Sequence, residues 1–71
     1  MTQVEQYLQE RRNASKWMTE GNEKALQQCN ERSRAIYNKF TKNDFLELIQ
    51  KVENKQAKQA FSRAMHKKYP D

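Results

Sequence analysis

Residues 2–26, TQVEQYLQERRNASKWMTEGNEKAL, contain the signals that decide the fold. Thr2 and Glu5 have the spacing of a capping box, in which the Thr side chain accepts a free backbone N–H and the Glu side chain accepts one from the cap residue. Apolar residues then recur at helical spacing until Gly21, which favours a left-handed stop, and Asn22 follows as a candidate cap. This stretch predicts two helices joined by a short turn.

The remaining sequence also favours helices. The chain has one glycine and one proline, and no segment alternates apolar and polar residues for long enough to indicate a strand. Residues 41–44, TKND, offer two candidate caps for a third helix, and Asn54 can cap a fourth where the apolar pattern changes phase. We predict an all-α protein, a small three- or four-helix bundle in a single domain over residues 1–71. Its helices are expected at about 3–20, 23–40, 44–53 and 55–68, or with the last two as one curved helix.

Each predicted helix has an apolar face that we expect to form the core. Met18 belongs to this face in the first helix and Leu46 in the third. In the fourth helix the face contains Ala57, Ala60, Phe61, Ala64 and Met65. Only 11 of the 71 residues are Leu, Ile, Val or Phe, so we expect a marginally stable domain that gains stability by oligomerising or by docking on a partner.

Cysteine content and hydropathy indicate the compartment. Cys29 is the one cysteine, which excludes an internal disulfide, and no basic-then-apolar leader opens the sequence. The longest apolar runs are two or three residues, far below the roughly 20 needed to span a bilayer. We therefore expect a cytoplasmic protein without a membrane span.

The residues that enzymes need are missing from the sequence. Cys29 lies within an apolar stripe, where it is expected to be a small core residue, and His66 is the one histidine. Asp44 and Glu47 form an acidic pair in the first turn of the third helix, where the helix dipole explains them. With a single glycine there is no phosphate-binding loop. We predict no enzymatic activity, no catalytic residues, no cofactor and no metal site.

Positive charge is concentrated at the C-terminus, where residues 51–71 contain six Lys or Arg and two acidic residues. Such a cluster could meet the phosphates of nucleic acid or an acidic protein surface, although it could also be an ordinary solvated helix face. No turn position gives the apolar and small residues that a helix-turn-helix requires. The candidate basic stripe, opposite the predicted core, comprises Lys51, Lys55, Lys58, Arg63, His66 and Lys67.

A second candidate surface, the protein-interface patch, comprises Arg11, Arg12 and Trp17. Arg11 lies in the middle of the first apolar stripe, where a buried and unpaired guanidinium would be costly. It must therefore reach solvent, pair with a carboxylate, or face another chain that supplies the acid. Trp and Arg are also enriched among the residues that dominate binding energy at protein interfaces.

These observations favour a small non-enzymatic regulatory or inhibitory protein that docks on a larger protein or nucleoprotein complex. A phage or mobile-element origin would suit its size. One alternative is direct, non-specific DNA or RNA binding through the basic C-terminal helix. A second is a structural homodimer in which the apolar stripes around Arg11 and Ser33 pair across a two-fold axis.

Overall fold

A computed structural model describes residues 1–70. Within this range the chain forms four α-helices and no strand, which confirms the predicted all-α class. The helices belong to two compact units, Met1–Lys39 and the residues from Phe40 onward. The single domain expected from the chain length stays a prediction. The helices are α1 Gln3–Glu20, α2 Glu23–Asn38, α3 Lys42–Lys51 and α4 Lys55–Lys68.

Capping boxes begin α1 and α3. The Oγ1 atom of Thr2 accepts the backbone N–H of Glu5 at 3.2 Å, and the carboxylate of Glu5 accepts the N–H of Thr2 at 3.4 Å. Thr41 and Asp44 repeat this exchange at 3.3 and 2.9 Å. The box places the start of α3 at Lys42, two residues before the position expected from the sequence. Asp44 is thus a reciprocal cap partner as well as a charge near the helix dipole.

Asparagine side chains begin the other two helices. Asn22 Oδ1 accepts the backbone N–H of Ala25 at 3.1 Å, and Asn54 Oδ1 accepts those of Gln56 and Ala57 at 2.8 and 3.2 Å. The backbone at Val52 is extended, with φ −80° and ψ 141°. Because an extended residue cannot continue a helix, α3 and α4 are separate, and the alternative of one curved helix is wrong.

Two predicted helix ends were also too late. The second helix ends at Asn38 rather than at residue 40, because Lys39 closes it with a 3.0 Å hydrogen bond to the carbonyl of Ile36. The third helix ends at Lys51 rather than at residue 53, since the backbone is already extended at Val52. In both places an apolar residue beyond the helix, Phe40 or Val52, had extended the periodic pattern.

The first unit is an antiparallel helical hairpin. Gly21 has the left-handed φ of 75°, and its N–H and that of Asn22 bond the carbonyls of Met18 and Trp17 at 3.2 and 3.0 Å, as in a Schellman motif. The contacts between the two helices show that they are antiparallel, because the partners on α2 have falling residue numbers as those on α1 rise. Tyr7 contacts Tyr37, Glu10 contacts Arg32, and Arg11 contacts Asn30.

Few side chains of the first unit are fully buried. They are Val4, Ala14, Cys29 and Ser33, whose hydroxyl donates to the carbonyl of Asn30 at 3.0 Å. Met18, predicted to lie in the core, is 65% exposed. Since it follows the buried Ala14 by four residues, its exposure shows that the packed interior of the hairpin ends before the turn.

The second unit is held by aromatic side chains. The rings of Phe40 and Phe45 meet edge to face with centroids 5.5 Å apart, and the ring of Tyr69 lies 6.4 Å from that of Phe45. The carbonyl of Phe40 accepts the hydroxyl of Tyr69 at 2.7 Å and the amine of Lys68 at 3.3 Å. Leu48 and Met65 are also buried, whereas Leu46, expected in the core, is 44% exposed.

The inward face of α4 is rotated from the one predicted. Ala60 is exposed, while Lys58 is half-buried on the same side as Phe61 and the buried Met65. These three residues have the i, i+3, i+7 spacing of one helix face. The four-carbon stem of a lysine can cover apolar surface while its amine reaches water, so Lys58 can occupy this position.

We expect the substitution Gly21→Ala to lower the free energy of unfolding by about 1 kcal/mol, because an L-residue is disfavoured at φ 75°. No heavy atom lies within 4 Å of the added Cβ, so the cost should come from the backbone. Gly21→Asn should cost less, since Asn tolerates this conformation better. Thermal unfolding followed by the fluorescence of Trp17 measures both, and equal losses would contradict the backbone explanation.

Candidate functional site

Two adjoining depressions open near the turn between α1 and α2. One has a volume of about 290 Å³ and is lined by Arg11, Ala14, Ser15, Met18, Leu26 and Asn30. The other, of about 210 Å³, is lined by Trp17, Met18, Gly21, Asn22, Glu23 and Leu26. Because Met18 and Leu26 border both, we treat the two as one surface and call it the turn-end groove.

The turn-end groove is apolar at its centre. Met18 is exposed, while Leu26 and Trp17 are half-buried. The small side chains of Ala14 and Ser15 leave space beside Met18 that a larger residue would fill. Methionine is unbranched and adapts to different neighbours, which suits a surface that binds an incoming apolar group.

Arg11 is the charged residue of the larger depression. It is exposed, and its Nη1 donates to Oδ1 of Asn30 at 3.2 Å. The neighbouring Glu10 is already engaged by Nε of Arg32 at 3.1 Å, a hydrogen bond that raises the pKa of Arg32. Among the described residues no carboxylate forms an ion pair with Arg11. Arg11 therefore reaches solvent with an amide partner, and its charge is available to an acid from another molecule.

The predicted protein-interface patch is thus partly assembled. Arg11 and Trp17 line the two halves of the turn-end groove and are connected through Met18. The amine of Lys16 lies 5.4 Å from the centroid of the Trp17 ring, in a cation–π contact. Arg12 is exposed but lines neither depression.

Leu26 and Asn30 were not predicted as groove residues, and Met18 was predicted to lie in the core. A partial signal existed, since Met18 and Leu26 lie three residues before and five after Gly21. Residues so close to a tight turn have few neighbours beyond it to cover them.

The predicted basic stripe is not continuous. Lys51 ends α3 and its amine lies 3.7 Å from the carboxylate of Glu47, so it does not extend the row of cations on α4. Lys58 lies on the half-buried side, contrary to the prediction that it points away from the core. The remaining four residues, Lys55, Arg63, His66 and Lys67, are exposed on α4.

Within residues 1–70, no group of three or more His, Cys, Asp or Glu side chains could hold a metal ion. Cys29 is buried with a free thiol, and Nη2 of Arg32 lies 3.5 Å from its sulfur. None of the four described helices is both long and apolar enough to cross a membrane.

The sequence matches no protein-family model, no curated protein and no solved structure.

A tyrosine pair packs at the end of the hairpin opposite the turn. The rings of Tyr7 and Tyr37 have centroids 5.6 Å apart. Burial raises the pKa of both phenols above the usual 10.0; the charge of Arg11 partly opposes this for Tyr7, and the neighbouring Tyr7 adds to it for Tyr37. The folded state therefore favours the neutral phenols.

Above about pH 10 the unfolded chain should lose these phenolic protons before the folded chain does. We therefore expect the tyrosine pair to contribute fully to the free energy of unfolding below about pH 10. This contribution should be lost as the pH rises through the pKa values that the two phenols have in the folded state. Urea unfolding between pH 8 and 11 tests this. The double variant Tyr7→Phe, Tyr37→Phe should lose less stability over this range than the parent chain, and identical losses would exclude the tyrosine pair as a cause.

Proposed function

We propose that this chain is a small non-enzymatic regulatory protein that docks on a larger protein through the turn-end groove. The observation that carries the proposal is the exposure of Met18 at the centre of an apolar depression, with Trp17 and Leu26 beside it. Small domains with few buried apolar residues commonly gain stability when a partner covers such a surface. We infer that the protein acts in the cytoplasm, where the thiol of Cys29 stays reduced.

The chemistry of the groove specifies what it would bind. An apolar side chain of the partner would fill the space between Met18, Leu26 and Ala14, which form the apolar part of the larger depression. A carboxylate next to that side chain would meet Arg11, which has an amide but no acid as its partner. We therefore expect a partner segment with an apolar anchor followed or preceded by Asp or Glu.

A second copy of the chain is the competing occupant. A two-fold axis through the larger depression would bring Arg11 of one copy close to Arg11 of the other, and like charges repel in such an interface. The groove therefore favours a different protein over self-association, and the experiment separates the two.

Site-specific photo-crosslinking in cells is expected to capture the partner. A photoreactive amino acid at Ser15, which lines the groove, should give one dominant adduct. The same amino acid at Gln50, an exposed residue of α3, is the matched control and should not give that adduct. A crosslinked product of twice the chain's mass would show a homodimer, and equal adducts from both positions would contradict a specific groove.

Binding of the purified partner then tests the groove residues. Met18→Asp should weaken binding by about 10- to 100-fold, because it places a charge at the apolar centre. Leu46→Asp introduces the same charge at another exposed apolar residue and should change binding less than about twofold. Arg11→Glu should weaken binding, and a Lys in place of the partner's acid should restore it. Unchanged affinity of the Met18→Asp variant would refute the proposal.

A further inference from the structure

Helix α4 has an unusually one-sided charge. Its 14 residues contain five Lys or Arg, one His and no Asp or Glu. Lys55, Arg63, His66 and Lys67 are exposed, and no ion pair between described residues involves them. A face with cations and no acids has the electrostatic character of an anion-binding surface.

The exposed side of α4 has an ordered arrangement. Gln56, Gln59 and Arg63 follow one another at i, i+3, i+7 and are all exposed, so they form a central polar row within about 60° of arc. Lys55 lies on one flank of this row, and Lys67 lies on the other. A row of amide and guanidinium groups between two cations is the arrangement expected of a helix that reads base edges and contacts phosphates on both sides.

The dimensions and side-chain types favour duplex DNA over other polyanions. A helix of 14 residues is about 21 Å long and, as a convex rod, fits the B-form major groove, which is about 12 Å wide. Gln can bond bidentately to adenine and Arg to guanine. The major groove of duplex RNA is too narrow for a helix.

Two other ligands fit this side of α4 less well. Single strands bind by stacking on exposed aromatic rings, but the aromatic residues of this region, Phe61 and Tyr69, are half-buried on the opposite side. A membrane surface requires large apolar residues beside the cations, and on this side of α4 the one exposed apolar residue is Ala60.

The connection to α3 is compatible with such a reader. Residues 52–54 join the two helices, and a three-residue connection has the length found in helix-turn-helix units. With a turn at Asn54, the standard unit would place Glu53, Lys55 and Arg63 at positions that should be apolar and Gln50 at one that should be small. All four are exposed, so the packing of the standard unit is absent. Binding through the outer side of α4 does not require that packing.

We propose that α4 binds duplex DNA in the major groove, with Arg63 and Gln59 at base edges and Lys55 and Lys67 on phosphates. This surface belongs to a different unit from the turn-end groove. DNA binding and protein docking can therefore be tested, and can fail, independently of each other.

Fluorescence anisotropy of the full chain with a labelled 20-base-pair duplex tests the phosphate contacts. Two lysine contacts predict a slope of about −1.8 for log affinity against log salt, equivalent to about 10-fold weaker binding at 200 mM than at 50 mM. Lys55→Gln with Lys67→Gln should remove most of this dependence. Lys24→Gln with Lys39→Gln removes the same charge from exposed positions of the other unit and should leave binding unchanged. Equal losses in both double variants, or no binding at 50 mM, would overturn the proposal.

Selection of duplexes from a random library tests the base contacts. We expect an enriched sequence containing guanine, and we expect Arg63→Lys to lose the preference for it while the salt slope is kept, because Lys keeps the charge without the bidentate geometry. Gln59→Ala should weaken binding to the selected duplex more than binding to a random one. The absence of any enriched sequence would overturn the base-reading part. Equal or tighter binding to single-stranded DNA, duplex RNA or acidic lipid vesicles would overturn the choice of duplex DNA.

Discussion

The side-chain caps at Thr2, Asn22, Thr41 and Asn54 are the constraint on which this structure depends. Each supplies an oxygen to backbone N–H groups that have no partner within the helix, and so fixes the residue at which a helix begins. Within each helix the 3.6-residue repeat then sets which side chains share a face. The cap at Asn54 separates α4 from α3, and along α4 Lys58 is half-buried while Arg63 is exposed.

Few buried apolar side chains stabilise these helices. The first unit buries Val4, Ala14 and Cys29, of which two are small, and Met18 stays exposed beside the turn. The second unit relies on aromatic rings and on the carbonyl of Phe40, which accepts hydrogen bonds from two side chains. A chain that buries so little leaves much of its helical surface open, and the two candidate surfaces are both parts of that open surface.

The local features of the fold were predictable from the sequence, because caps and turns depend on residues that are neighbours in the chain. The capping box at Thr2, the left-handed Gly21 and the cap at Asn54 were all predicted. What the sequence did not show depends on packing between helices. The exposure of Met18 and the inward position of Lys58 follow from where the partner helix ends and how it is turned. Periodicity alone treats every apolar residue of a stripe as equally buried.

We propose that the turn end of the α1–α2 hairpin is incompletely packed and is the surface that a partner covers. Residue-resolved amide hydrogen exchange of the free chain, measured by NMR, tests it most directly. We expect amides of residues 15–26 to exchange much faster than those around the buried Cys29 and Ser33, because local opening is easier where few apolar contacts are made. Equal protection along the whole hairpin would show a fully packed turn end and would contradict the account.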